Sequence, residues 1–333
     1  MSIEEQVRKS LEQVLVPGIR RSLVRMNLVR GIEVKDGRAK VILASAGIPA
    51  QSQDWVREKV IIAVRDVPEV KGITVEFIEA KPKELNQIQQ IIAVMSGKGG
   101  VGKSLVASLL AASFAREGKD VGILDADITG PSIPKMFGLN EHPSGSEAGF
   151  LPILSKAGIE IMSMNLLLPS EDDAVIWRGP LMSKVITQFW EDVLWGKLDY
   201  LVIDVPPGTG DIPLTLMQTV PLSGVIDVFT PQDLTAMIVR KAVKMAQKMD
   251  VHVLGVVENM SYLLLPETGK KLEVFGRSKG EEMAKAAGVP LLGRLPLDPE
   301  LARLCDQGEI EKYSSDALSG IFASLVAVLN EGE

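Results

Sequence analysis

The hydrophobic pattern from residue 91 onward alternates between two kinds of stretch. Short runs of consecutive apolar residues are followed by longer stretches in which apolar residues recur every third or fourth position. The runs predict strands buried on both faces, and the longer stretches predict helices that cover them. This alternation indicates an α/β fold with a mostly parallel sheet and helices on both faces. The predicted strands are 91–95, 120–124, 200–203, 224–229, 251–257 and 290–292, and the predicted helices are 103–116, 181–190, 211–218, 234–248, 278–287, 299–306 and 315–329.

The first 80 residues show a different, mixed pattern. Helical spacing of apolar residues alternates there with short strand-like segments, and the dipeptide Asp36-Gly37 predicts a tight hairpin turn. Lys, Pro, Glu, Asn and Gln then dominate a stretch with little apolar content, which predicts a linker. We therefore expect a small α+β domain at 1–80, a linker at 81–90 and a larger α/β domain at 91–333. Within the small domain the predicted helices are 3–15 and 53–67, and the predicted strands are 31–34, 39–43 and 72–78.

A glycine-rich loop joins strand 91–95 to helix 103–116. It fits the pattern G-x-x-x-x-G-K-[ST], with Lys103 and Ser104 at the start of the helix. Glycines allow backbone N–H groups to surround phosphate oxygens, and the helix N-terminus adds a positive dipole end. Lys103 is expected to reach the β- and γ-phosphates, and the Ser104 hydroxyl to bind Mg²⁺. An ordinary glycine-rich turn is the alternative. The predicted nucleotide-binding residues of this loop are Gly97, Lys98, Gly99, Gly100, Val101, Gly102, Lys103 and Ser104.

Carboxylates follow two of the predicted strands. Asp125 and Asp127 come after strand 120–124, and Asp204 comes after strand 200–203. Ligands of parallel α/β sheets lie at the carboxyl ends of the strands, where such side chains can orient water or stand beside Mg²⁺. Asp204 is the expected carboxylate on the Mg²⁺ side. For Asp125 and Asp127 the alternative is that they only cap the following turn.

Two further segments at strand ends carry candidate chemistry. The segment 205–211 contains two prolines that stiffen it and two glycines that free it, as expected of a loop that moves with the γ-phosphate. Its candidate switch residues are Gly208 and Asp211, and a plain strand-to-helix turn is the alternative. Asn259 follows strand 251–257 and offers an amide that can both donate to and accept from an adenine edge, although asparagine is also common in turns.

Composition narrows the class of protein and of partner. The chain is 46% hydrophobic and 24% charged, which indicates a globular protein, and its net charge of −7 argues against a general nucleic-acid binder. No apolar run reaches the length of a membrane span, and residues 1–5 lack the pattern of a signal peptide. We therefore expect a cytoplasmic location, no nucleic-acid partner and no membrane partner. Cys305 is the one cysteine of the chain.

Lys98, inside the phosphate loop, makes the loop resemble the deviant P-loop of the MinD/ParA and nitrogenase-iron-protein class. In that class this lysine reaches across a dimer to the partner's nucleotide, so the resemblance implies an ATP-dependent homodimer. A solvated loop lysine is the alternative. Taken together, five motifs resemble the Mrp/ApbC group of iron–sulfur cluster carrier ATPases, to which a small N-terminal domain is often fused. The motifs are residues 97–104, 124–132, 177–180, 203–211 and 258–262.

The resemblance implies a P-loop ATPase that converts ATP and water to ADP and phosphate and serves iron–sulfur cluster assembly on client proteins. It implies that Lys98 and Lys103 neutralise the charge that develops during hydrolysis. It also implies that Asp127 positions the attacking water and that Asp125 supports Asp127 or the Mg²⁺ shell. Asn259 would contact the adenine base.

The sequence departs from that family at the cargo site. The family carries a Cys-x-x-Cys shortly after the segment that ends at residue 262, whereas Leu265 and Thr268 stand at those places here. Iron–sulfur clusters are held by four thiolates, and a dimer of this chain offers two, both from Cys305. Cys305 has the alternative reading of a small buried apolar residue. The competing function is a MinD/ParA-like regulatory switch that acts through protein partners.

Overall fold

The computed structural model describes residues 1–127, 130, 132–146, 149–167, 179–232, 235–265 and 268–331. They form two compact units. The first unit combines Met1–Gln89 with His142–Leu154 and Gln188–Leu198, and the second contains Gln90–Glu141, Ser155–Thr187 and Asp199–Glu333. The predicted motif residues Ile128, Thr129, Pro131, Trp177 and Arg178 lie outside the described residues.

Strands and helices alternate along most of the described chain. The strands are β1 Val29–Lys35, β2 Arg38–Ala44, β3 Gly72–Ile78, β4 Gln87–Met95, β5 Val121–Asp125, β6 Gly145–Ser146, β7 Gly149–Phe150, β8 Ile153–Leu154, β9 Glu160–Ser163, β10 Lys197–Asp204, β11 Gly224–Phe229, β12 Val253–Glu258, β13 Leu263–Leu264, β14 Lys271–Leu272 and β15 Leu291–Arg294. The α-helices are α1 Ile3–Ser10, α2 Ala50–Arg65, α3 Pro82–Leu85, α4 Lys103–Arg116, α5 Ile133–Met136, α6 Gly179–Asp192, α7 Asp211–Thr219, α8 Thr235–Lys248, α9 Gly280–Ala287, α10 Pro299–Asp306 and α11 Asp316–Glu331.

The first unit is built on a small mixed sheet of order β1-β2-β3. Strands β1 and β2 are antiparallel, and β2 and β3 are parallel. Asp36 and Gly37 join β1 to β2 with φ values of 50° and 75°, the left-handed conformation that a two-residue hairpin turn requires. The predicted hairpin is therefore confirmed. Helix α2 buries valines at four-residue spacing, and its core also contains Leu151 and Leu194 from the two later segments.

Residues 81–90, predicted as a linker, have regular secondary structure instead. Pro82 occupies the first turn of the short helix α3, where a missing N–H costs nothing. Strand β4 begins at Gln87 rather than at residue 91. Its first four residues alternate between exposed and half-buried positions. Because the exposed positions carry polar side chains, this part of the strand does not belong to an apolar run and was not predicted.

The second unit contains a parallel sheet whose strands follow the order β15-β12-β11-β4-β10-β5-β9. Strand pairs β10–β5, β11–β12, β11–β4, β12–β15 and β5–β9 are all parallel. The predicted strands and helices are present, with ends that shift by a few residues. Strand β9 was not predicted, because Glu160 and Ser163 interrupt the apolar run although both are buried. The α/β prediction for this unit is confirmed.

Helix α4 positions the site because it is buried along most of its length. The ring of Phe114 stacks on Tyr200 of β10 at 3.8 Å between centroids and meets Phe322 of α11 edge-on at 5.0 Å. This packing fixes the N-terminus of α4 at the carboxyl ends of the central strands. Among the described residues, no helix combines the length and apolar character that crossing a bilayer needs.

Candidate nucleotide-binding site

The phosphate loop runs from the end of β4 to Lys103, the first residue of α4. Gly100 and Gly102 have φ values of 78° and 80°, which favour glycine. A Cβ on Gly102 would lie 2.1 Å from Asn259 Nδ2, so close approach also requires glycine there. The loop lines a cleft of about 290 Å³, and Asp127 and Pro207 also line it. The backbone therefore has the shape of an anion-binding cradle at a helix N-terminus.

Lys103 lies between two carboxylates at the base of this cleft. Its Nζ forms an ion pair with Asp204 Oδ1 and lies 3.6 Å from Asp127 Oδ2. It also donates to Ser104 Oγ at 3.4 Å. Lys103 is 5% exposed and Asp204 is fully buried. The structure thus brings together four of the predicted site residues from three separate parts of the chain.

Asp125 and Asp204 are paired residues of the neighbouring parallel strands β5 and β10. Burial, together with the charge of Asp204, raises the pKa of Asp125 to about 8. The Lys103 ammonium, the Ser163 hydroxyl and the Asp127 N–H act in the opposite direction; the last two donate to Asp125 at 3.1 and 3.2 Å. Burial also raises the pKa of Asp204, while Lys103 opposes that shift through a direct bond. Asp125 therefore keeps its proton to a higher pH than an ordinary carboxyl does.

The residues present fit the requirements of Mg²⁺. Asp204 Oδ2 is buried and makes no hydrogen bond of acceptable geometry with the described residues, although the Ser104 hydroxyl lies close enough to lower the pKa of the carboxyl. A hydroxyl and a free carboxylate oxygen beside a phosphate cradle are the oxygen ligands that Mg²⁺ prefers. Within the described chain, no group of three or more His, Cys, Asp or Glu side chains is arranged to hold a metal ion. P-loop Mg²⁺ needs no such group, because nucleotide oxygens and water complete its shell.

Lys98 and the switch segment 205–211 each make a hydrogen bond to another part of the chain. Lys98 is exposed, and its Nζ donates to Gln232 Oε1 at 2.9 Å. Gly208 has a φ of 96°, and its N–H donates to the Ser96 carbonyl at 2.8 Å, which ties the segment to the phosphate loop. Asp211 is exposed at the first position of α7. Gln232 has no motif that could have identified it.

Asn259 lies under the phosphate loop. It is 1% exposed, and its Nδ2 donates to the Val101 carbonyl at 2.9 Å. The side chain therefore supports the loop in this structure, and the predicted contact with adenine stays a prediction. Ser163, which bonds Asp125, could not have been found, because it lies at the end of the unpredicted strand β9.

The surroundings of Cys305 do not favour a cluster ligand, in agreement with the missing Cys-x-x-Cys of this sequence. Cys305 lies on α10, half-buried against the apolar core. Burial raises the pKa of its thiol, which disfavours the thiolate that binds metal. Leu265 and Thr268 lie in the turn between β13 and β14, where the Thr268 N–H donates to the Leu265 carbonyl at 3.3 Å.

A strand, a glycine loop and a helix that begins with Lys103-Ser104, with carboxylates on adjacent strand ends, define a P-loop NTPase. The nucleotide-binding protein from Archaeoglobus fulgidus in complex with ADP has a similar structure, with a TM-score of 0.62 and 46% identity over 69% of this chain and 90% of that chain. The cell division ATPase MinD of Pyrococcus furiosus shares the fold, with a TM-score of 0.52 and 19% identity over 73% and 99%.

Sequence comparisons then define the family. Residues 87–329 match the family model described as NUBPL iron-transfer P-loop NTPase, and residues 4–77 match the model described as iron-sulfur cluster assembly protein. The iron-sulfur cluster carrier protein of Aquifex aeolicus is 38% identical over 99% of this chain and 96% of that protein. Its counterpart in Clostridium perfringens is 49% identical over 69% and 83%. The chain belongs to the NUBPL iron-transfer P-loop NTPase family, and the resemblance to cluster carrier ATPases is confirmed.

Proposed function

We propose that this protein binds and hydrolyses ATP as a homodimer and serves iron–sulfur cluster assembly through partner proteins, without holding the cluster in a Cys-x-x-Cys of its own. The observation that supports this most directly is the placement of Lys103 against Asp204 and Asp127 beside the phosphate cradle. The cluster carrier proteins that the chain resembles give the assembly role.

Nucleotide binding would exchange the partners of Lys103. In the structure the ammonium neutralises the buried Asp204, and phosphate oxygens offer it a stronger set of charges. Once Lys103 turns to the β- and γ-phosphates, the Asp204 carboxylate is free. Ser104 and Asp204 would hold Mg²⁺, with Asp125 in the outer shell; the ion supplies charge neutralisation at the phosphates.

The remaining residues act on the reacting water and phosphate. Asp127, at the cleft wall, orients a water so that its oxygen attacks the γ-phosphorus while the bond to the β–γ bridging oxygen breaks. Lys98 would leave Gln232 and reach the partner's nucleotide, where its charge would neutralise the negative charge that develops on the phosphates as ADP leaves. Gly208 and Asp211 would respond to the γ-phosphate through the bond from the Gly208 N–H to the phosphate loop.

An iron–sulfur cluster would be the cargo of this protein, and the residues of the chain do not supply the ligands that a cluster needs. One half-buried thiol per protomer, with a raised pKa, falls short of four thiolates. Cys305 therefore has no part in the proposed role in cluster assembly. Client or assembly proteins that bring their own thiolates are the partners this arrangement favours. The cytoplasmic location stays a prediction.

A MinD/ParA-like regulatory switch is the second candidate. The observation that favours it is the switch segment bonded to the phosphate loop in a chain without the Cys-x-x-Cys of the cluster carriers. The structural similarity to MinD is at 19% identity and supports the fold alone.

Iron and acid-labile sulfide per protomer, measured after anaerobic reconstitution, test the proposal together with phosphate release from ATP. We expect ATP turnover with far less than stoichiometric iron and sulfide. A matched Cys305→Ala variant shows whether any iron that remains depends on the thiol. Stoichiometric iron and sulfide that disappear in Cys305→Ala would refute the partner-dependent reading and establish a cluster on the chain itself. Absence of ATP binding would refute the ATPase.

A further inference from the structure

A short hairpin leaves the sheet after β12 and presents apolar side chains to solvent. Strands β13 and β14 pair in antiparallel fashion, and a turn leads from β14 toward α9. Four of the exposed large apolar side chains in the described chain lie here, each at least 39% exposed. They are Leu264, Leu272, Val274 and Phe275. We call the described residues 262–265 and 268–277 the hairpin segment.

Both ends of the hairpin segment are fastened to one buried carboxylate. Glu258, the last residue of β12, accepts hydrogen bonds from Ser261 Oγ at 2.5 Å, Ser278 Oγ at 2.7 Å and the Lys279 N–H at 2.7 Å. Ser261 precedes the segment and Ser278 and Lys279 follow it. Because Glu258 is fully buried, each of these bonds is worth more than at the surface. A displacement of Glu258 therefore moves both ends together.

The next residue fastens the same strand end to the phosphate loop. Asn259 Nδ2 donates to the Val101 carbonyl at 2.9 Å and lies against Gly102, where no Cβ could fit. Met260 then adopts a φ of 54°, a left-handed conformation that is unfavourable for this residue type. Such a conformation persists where its surroundings over-determine it, and here its two neighbours are both bonded through their side chains.

We propose that Glu258 and Asn259 connect the phosphate loop rigidly to the hairpin segment, so that nucleotide binding changes the order of the exposed apolar surface. Asn259 is then a positioning residue for the loop, and Glu258 is a positioning residue for the segment. This inference rests on the proposed nucleotide site. We expect phosphate contacts at the backbone of residues 97–102 to tighten the position of the Val101 carbonyl, and the bond from Asn259 would pass that change to its covalent neighbour Glu258.

Amide hydrogen exchange of the full-length protein, with and without ADP, measures this connection. In the wild type we expect ADP to slow exchange in the phosphate loop and also in the hairpin segment. Glu258→Gln keeps the side chain's size but replaces one acceptor oxygen with a donor, so the ADP effect should be lost in the segment and kept in the loop. Ser278→Ala removes one of the three bonds and serves as a milder second variant. Glu281→Gln, at an exposed position on α9, is the matched control and should behave as wild type.

The outcomes separate the two proposals. A wild type that fails to bind ADP would refute the nucleotide site and the connection with it. A wild type that binds ADP without any change in the hairpin segment would refute the connection alone. An ADP effect that survives in the segment of both Glu258→Gln and Ser278→Ala would also refute it.

Asn259→Ala distinguishes loop positioning from base recognition. If Asn259 positions the loop, affinities for ADP and GDP should fall by the same factor, about tenfold for one lost buried hydrogen bond. If it contacts adenine, the ADP affinity should fall while the GDP affinity is unchanged, and that result would overturn the positioning role. Unchanged affinity for both nucleotides would overturn it as well.

Discussion

Lys103 and Asp204 form a buried ion pair that joins the start of α4 to the end of β10. Lys103→Ala should abolish ATP binding, because the phosphates lose their main cation. It should also lower the free energy of unfolding of the nucleotide-free protein by about 3–5 kcal/mol, since Asp204 would be left as a buried charge without its partner. Chemical denaturation and calorimetric titration with ADP measure the two effects.

A double variant separates these contributions. Lys103→Ala combined with Asp204→Asn removes both charges and should recover part of the lost stability without restoring ADP binding. Lys119→Ala, at an exposed lysine beyond the end of α4, is the control and should change neither quantity. Equal stability of Lys103→Ala and wild type would show that the ion pair is not needed in the nucleotide-free state.

Asp125 should make stability depend on pH. Its pKa is raised from 3.8 to about 8 on folding, so between these values the folded state holds a proton that the unfolded state releases. Asp125 therefore stabilises the fold fully below about pH 4, and this contribution is lost as pH rises through about 8. Asp125→Asn should remove a negative slope of up to about 1.4 kcal/mol per pH unit from the free energy of unfolding.

Urea denaturation at a series of pH values checks this sign. Glu281→Gln is a suitable control because Glu281 is exposed. Parallel pH curves for wild type and Asp125→Asn would contradict protonation of Asp125 in the folded state.

Asp127 should be required for hydrolysis and dispensable for binding. Asp127→Ala and the size-matched Asp127→Asn should keep ADP affinity, because both variants leave Lys103 and the phosphate loop, which would bind the phosphates, unchanged. Phosphate release should fall by at least about 100-fold if the carboxylate orients the water. Rapid hydrolysis by either variant would assign that role to another group.

Burial of the Asp227 carboxyl on β11 should lower the free energy of unfolding. Neither of its oxygens has a hydrogen-bond partner among the described residues, and burial raises its pKa well above the usual range. Asp227→Val should therefore raise the free energy of unfolding by about 1–3 kcal/mol. Asp199→Val is the contrasting variant. Asp199 accepts a hydrogen bond from the Asp120 N–H at 2.7 Å, so this substitution should lower the free energy of unfolding. Destabilisation by Asp227→Val would indicate a partner for this carboxyl.

Local pattern was sufficient for much of the site. Apolar runs located β4, β5, β10 and β12, and the residues that follow buried parallel strands lie together at one edge of the sheet. This is why Lys103, Asp127 and Asp204 could be grouped from sequence before any distance was known. Gly102 could also be predicted from the sequence, because its position directly before Lys103 is part of the sequence pattern that defines the loop.

What the sequence did not predict depends on contacts between distant residues. Val101 and Asn259 are separated by 158 positions in the sequence. The hydrophobic periodicity therefore could not predict that the Asn259 amide lies under the phosphate loop. Strand β9 was not predicted because it contains Glu160, a charged residue that is fully buried. The bond between Lys98 and Gln232 is a similar case, because glutamine carries no motif.

The first unit is formed by three separate segments of the chain, and this limits where the protein can be divided. Leu151 and Leu194 are fully buried in the same core as helices α1 and α2, and Asn86 binds the Val193 carbonyl and the Trp195 N–H with its side chain. A fragment that stops at residue 80 or 89 would lose Leu151 and Leu194 and leave apolar surface open to water. The matching fragment that begins at residue 90 would carry them without their cover. Gene fusions and truncations of this chain should therefore keep both parts, because the boundary in sequence is not a boundary in packing.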